Sequence, residues 1–117
     1  MTTINIEDKT MEITASAGTP VAFERIFGED VLSQLMKMRE LDNKNEQALI
    51  MDKLLPKLAF VMFSEAKLEP KELLKLTEED YISWLLTMPP KAITSHTSEI
   101  MTVYNGNQSR TSSPKNE

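Results

Sequence analysis

The chain has 117 residues, which fits one domain with a buried core, and its net charge of -5 offers no basic surface for coating DNA or RNA. Cysteine is absent and histidine occurs once, which excludes disulfides, thiolate zinc sites and Cys-His catalysis. The polar N-terminus and short apolar runs predict no signal peptide and no transmembrane segment, so we expect a cytoplasmic protein without membrane or nucleic-acid partners.

Alternating apolar and polar residues predict one or two short strands at the N-terminus. Ile4 and Ile6 alternate with polar residues, and so do Met11 and Ile13. The polar run at residues 7–10 could turn the chain back as a hairpin. A two-stranded ribbon is barely stable alone, so it would have to pack on helices or pair with another copy.

Residues 19–30 contain typical start and end signals of two helices. Thr19 before Pro20 predicts a helix start in which the threonine hydroxyl accepts a free backbone amide proton, and Gly28 suits the left-handed end of that helix. The acidic pair at residues 29–30 favours the start of a second helix, because the helix dipole is positive there. The apolar face of this second helix is expected to contain Phe27, Val31, Leu35 and Met38.

The longest helical pattern covers residues 48–62 and predicts a central helix with Leu58 in the core. Pro56 lies inside this pattern and removes one backbone hydrogen bond. We therefore expect a kink or a break near Leu54 or Leu55.

The last third of the chain predicts two more helices and a tail. Thr77 before the acidic residues 78–80 is typical of a capped helix start, and the prolines at 89–90 end that helix. A last helix is expected from Lys91, with Ile93, Ile100, Val103 and Tyr104 as its apolar positions. Residues 105–117 contain no large apolar side chain that could offset the entropy of ordering, which predicts disorder.

These patterns predict a mainly α fold, a small bundle of four to five helices with a short N-terminal strand or hairpin. The single helical domain would cover residues 1–104 and the disordered tail residues 105–117. The side chains that we expect to form the structural core are Phe27, Leu58, Tyr81, Trp84 and Leu85.

Three features could be functional, and each has a simpler structural explanation. The acidic residues 78–80 could serve acid-base chemistry or bind a divalent cation, but helix starts recruit acids for dipole reasons alone. His96 has no candidate nucleophile or orienting partner nearby in sequence, which favours a structural histidine. Tyr81 and Trp84 fit core anchors better than a ligand platform. We therefore expect no enzyme activity and no catalytic, cofactor or metal site.

The eight methionines have two open interpretations. Methionine fills irregular gaps in a core, and it also suits surfaces that bind varied apolar partners. The residues considered for such a partner-binding surface are Met36, Met38, Met51 and Met62.

Four sequence blocks follow one another along the chain. They are GTPVAFERIFGEDV at residues 18–31, LAFVM at 58–62, TEEDYISWL at 77–85, and IMTVY at 100–104 with the Ser-Pro-Lys tail. In order and spacing these blocks resemble tail assembly chaperones of long-tailed phages and prophages of Gram-positive bacteria. The resemblance covers most of the chain, and each block consists mainly of core and cap residues.

The resemblance implies a protein that binds the long, helical, aggregation-prone tape measure protein and keeps it soluble while tail tube subunits polymerise around it. Such a chaperone acts in the host bacterial cytoplasm and is absent from the mature virion. In many members a ribosomal frameshift gives a longer product that recruits the tail tube protein, and residues 114–116 are compatible with slippery codons CCA-AAA-AAC. A homo-oligomer is compatible with this chaperone role. The alternative is a structural tail completion or connector subunit of the virion.

Overall fold

The structure is a computed structural model that describes residues 2–6, 9–89 and 91–112, and its mainly helical fold with an N-terminal hairpin confirms the predicted fold class. Strand β1 covers Thr2–Ile6 and strand β2 covers Lys9–Ile13. Within the described residues six α-helices follow: α1 (Thr19–Phe27), α2 (Val31–Glu40), α3 (Lys44–Lys67), α4 (Pro70–Leu73), α5 (Glu78–Leu85) and α6 (Thr97–Ser112).

The β-hairpin packs its apolar face on the central helix α3. The strands are antiparallel with Ile4 opposite Met11, and both side chains are buried. Just beyond β2, the backbone N–H of Thr14 donates to the carbonyl oxygen of Met62 at 3.2 Å. Helix α3 therefore provides the support that a two-stranded ribbon requires.

The junction between α1 and α2 confirms the predicted capping signals. Gly28 ends α1 with a left-handed φ of 70°, and the Asp30 side chain caps α2 by accepting from the backbone N–H of Leu32. The carboxylate of Glu29 lies 3.1 Å from the Lys57 ammonium on α3. This ion pair fixes the start of α2 against the central helix.

Helix α3 continues through Pro56 without a break. Of the predicted kink or break near Leu54 or Leu55, the break is wrong, because Leu55 before the proline and Leu58 after it are both buried in the core and hold the helix in place. Tertiary packing outweighs the local cost of proline here.

Aromatic rings join α1, α3 and α5 in the core. Phe27 lies 5.1 Å from Tyr81 between ring centroids, and Phe60 lies 5.5 Å from the same tyrosine. The predicted core positions Phe27, Leu58 and Tyr81 are buried, whereas Trp84 and Leu85 are half-buried at the edge of the core.

Burial raises the pKa of Tyr81 above the ordinary tyrosine value of 10.0, because loss of water disfavours the phenolate. The folded chain thus holds this proton more tightly than the unfolded chain. The resulting stability is present in full below about pH 10 and is lost as the pH rises through the folded-state pKa.

We expect Tyr81→Phe to lose less unfolding free energy than wild type between about pH 8 and about pH 11 in urea titrations. Equal losses in the two proteins would contradict this expectation.

The C-terminal helix α6 begins later and ends later than predicted. A 3-10 turn at Thr94–His96 precedes its start at Thr97, and the predicted apolar positions Ile100 and Tyr104 are buried. The helix includes residues 105–112, the first part of the segment predicted to be disordered. Residues 113–117, with the proposed frameshift junction, lie outside the described residues. In the described ranges no helix has the length and apolarity needed to cross a membrane.

Candidate functional site

An open apolar groove lies between α1, the C-terminal end of α3 and α4. Its cavity measures about 420 Å³, within the range of about 300–1,000 Å³ that is common for binding pockets. Three aliphatic side chains of its wall reach the surface: Val21 is 63% exposed, Leu68 37% and Leu74 41%. Ala22 and Leu73 are buried and complete the apolar lining. The groove is thus a concave apolar surface at one end of the central helix.

The groove forms because the chain turns sharply around the end of α3. Helix α3 stops at Lys67, and Leu68 adopts an extended conformation that leads into Pro70 at the first turn of α4. The Arg25 Nε–H donates to the carbonyl oxygen of Leu74 at 3.2 Å, which joins the end of α4 to α1. Because these contacts connect distant residues, local sequence patterns gave no signal for the groove.

A carboxylate stands at the polar edge of the groove. Glu65 accepts hydrogen bonds from the Ser16 hydroxyl at 2.5 Å and from the Thr19 hydroxyl at 2.6 Å. Thr19 is fully buried, and its Oγ1 accepts from the backbone N–H of Ser16 at 2.8 Å. The predicted capping role of Thr19 is therefore wrong, since Gly18 is the N-cap of α1. The threonine instead ties the segment before α1 to α3.

The Glu65 carboxylate has no cationic neighbour among the described residues. Among the residues whose side chains the structure describes, the ion pairs involve Glu29, Glu72 and Glu99, and no cationic nitrogen of these residues lies within 4.0 Å of Glu65. A carboxylate has about four lone-pair sites, so the two hydroxyl donors leave acceptor capacity. The groove therefore combines an apolar wall with an unneutralised negative charge.

The structure separates the four methionines predicted for partner binding. Met36 on α2 is 52% exposed, and Met38 and Met51 are half-buried. Met62 is fully buried, so its assignment to a partner-binding surface is wrong for the folded chain. Leu32 lies four residues before Met36 and is 60% exposed, which gives α2 an exposed apolar face.

A second cavity of about 610 Å³ lies between α3 and the connection from α5 to α6. Its lining includes the predicted core residue Leu85 together with Met88. Asp52 and Lys91 bring charged groups to the wall, and the Lys91 backbone is left-handed with a φ of 65°. Two charged side chains thus line the second cavity and one, Glu65, lines the groove, which makes the groove the more favourable place for an apolar partner.

The other candidate residues have structural partners. Thr77 and Asp80 form a reciprocal capping box at the start of α5. The Nδ1 atom of His96 lies 2.5 Å from a carboxylate oxygen of Glu99, so the expectation of no orienting partner nearby in sequence is wrong. Across the described ranges no group of three or more His, Cys, Asp or Glu side chains could hold a metal ion. The expectation that the chain is not an enzyme stays a prediction.

Comparisons of the chain with protein-family models, with curated proteins and with solved structures find no match.

Proposed function

We propose that this protein is a tail assembly chaperone that binds the tape measure protein of its phage or prophage and keeps it soluble during tail tube assembly. The resemblance of the four sequence blocks supports the choice of partner. The groove supports the binding role, because Val21, Leu68 and Leu74 expose apolar surface in a concave site.

A helical segment is the partner structure that suits this groove best. In helix-in-groove recognition an amphipathic helix places side chains three or four residues apart into one apolar channel. The tape measure proteins of the resembled family are long and helical, so successive segments of one molecule would occupy the grooves of several chaperone copies.

The charge of the chain supports the same role. A protein that covers an apolar partner must itself stay soluble, and the chain carries 18 acidic against 13 basic residues. A net charge of this size favours solubility, and acidic residues favour it more than basic ones. A longer, frameshifted product that recruits the tail tube protein belongs to the same proposal.

Co-expression of the tape measure protein with groove variants tests the proposal. Leu74→Glu introduces a charge into the apolar wall, and we expect the soluble yield of the tape measure protein to fall about tenfold. Leu86→Glu is the matched control, because Leu86 is 81% exposed and does not line the groove. Circular dichroism and urea titration should show that both variants keep the wild-type fold.

A wild-type yield with Leu74→Glu, or an equal loss with Leu86→Glu, would remove the groove as the binding site. Recovery of this chain from purified intact tails, together with no effect on tape measure solubility, would favour a structural tail completion or connector subunit instead.

A further inference from the structure

Helix α2 carries an exposed stripe that complements the groove. Leu32 and Met36 are 60% and 52% exposed and lie four residues apart, so they share one face of α2. Arg39 is also exposed and follows Met36 by three residues on the same face. We call Leu32, Met36 and Arg39 the α2 stripe. It consists of two apolar side chains followed by a positive charge.

The charges of the two surfaces are opposite and uncompensated. No described cation lies within 4.0 Å of Glu65, and Arg39 has no ion-pair partner among the described residues. The arginine fork can donate two parallel N–H bonds to a carboxylate. Such a pair at the edge of an apolar contact also fixes the register of the two surfaces.

The two surfaces do not meet within one chain. The Glu29–Lys57 ion pair fixes the start of α2, and the Gln47 side chain donates to the carbonyl oxygen of Leu41 just after its end. Helix α2 therefore lies beside residues 47–57 of α3. The groove begins near Glu65, eight residues beyond Lys57 and thus roughly 12 Å further along the helix axis. An α2 stripe that fills a groove must come from another molecule.

We propose that the α2 stripe of one copy binds in the groove of a second copy, with Arg39 paired to Glu65 and with Leu32 and Met36 against the aliphatic wall. The contact joins two different surfaces, so each copy still offers one of them to a further copy unless the assembly closes. On the proposed function the tape measure protein competes for the same groove, and its binding would release self-associated chains.

Sedimentation velocity of the purified full chain, without any other protein, tests this inference. The wild-type mass should exceed that of a monomer and rise with concentration. Met36→Glu alters only the stripe and Leu74→Glu alters only the groove, so each variant alone should associate at least about tenfold more weakly. An equimolar mixture of the two variants should form a 1:1 pair and nothing larger, because one variant keeps its groove and the other keeps its stripe.

Two further variants separate this contact from general surface effects. Leu86→Glu changes an exposed side chain outside both surfaces and should associate like wild type. Arg39→Glu places a like charge opposite Glu65 and should weaken association about tenfold, whereas Arg39→Lys keeps the charge and should weaken it less. Circular dichroism checks the fold of every variant.

A wild-type chain that stays monomeric up to about 1 mM, a mixture that remains monomeric, or an equal loss in Leu86→Glu would overturn the inference. None of these results involves the tape measure protein. Failure of self-association would therefore leave the chaperone proposal untouched, and failure of tape measure binding would leave this inference untouched.

Discussion

Phe23→Ala is expected to destabilise the fold by about 3–5 kcal/mol, the usual cost of emptying a buried phenylalanine site. Phe23 has no exposed surface, and its ring centroid lies 5.0 Å from that of Phe27. Because small domains have only about 5–15 kcal/mol of stability, this one change would remove a large part of it. Urea titration followed by circular dichroism measures the loss.

Val21→Ala provides the control on the same helix. Its side chain is 63% exposed, so we expect its unfolding free energy to stay within about 0.5 kcal/mol of wild type. A Phe23→Ala protein with the stability of this control would show that α1 does not pack as described.

Trp84→Ala is expected to cost less, about 2–3 kcal/mol, because the indole is only half-buried. The ring still contacts two others, with centroid distances of 5.4 Å to Phe60 and 5.7 Å to Phe63. The conservative Trp84→Phe should recover part of the loss by restoring ring contacts. An unfolding free energy equal to wild type in Trp84→Ala would show that this face of α5 does not pack on α3.

Local features of the fold could be predicted from the sequence because a few consecutive residues determine them. The capping box of Thr77 and Asp80, the left-handed Gly28 and the alternating strand residues are of this kind. Their hydrogen bonds and faces depend on spacing alone, so no knowledge of tertiary structure was needed.

Features that depend on distant residues could not be predicted in this way. The buried hydroxyl of Thr19 binds Glu65, which lies 46 residues away, and so it does not cap its own helix. Met62 and Met36 are the same residue type on helical patterns, yet one is fully buried and the other is 52% exposed. The packing of α3 against the hairpin buries Met62, whereas Met36 lies on the exposed face of α2.

The groove also depends on residues that are distant in the sequence. Its wall combines Val21 of α1 with Leu68 and Leu74 from the segment around α4, and these residues become neighbours only after the chain turns at the end of α3. In sequence they appear as isolated apolar residues, which are common on protein surfaces.

Hydrogen exchange of the purified complex shows whether the tape measure protein occupies the groove. The reference is the dilute free chain, in which self-association is minimal. We expect slower exchange in the complex for the backbone amides of α1 and of residues 68–74, while the amides of α5 exchange at the free rate. A complex in which the groove amides exchange as in the free chain, or a tape measure protein that does not bind this chain, would rule out the groove as the binding site for the tape measure protein.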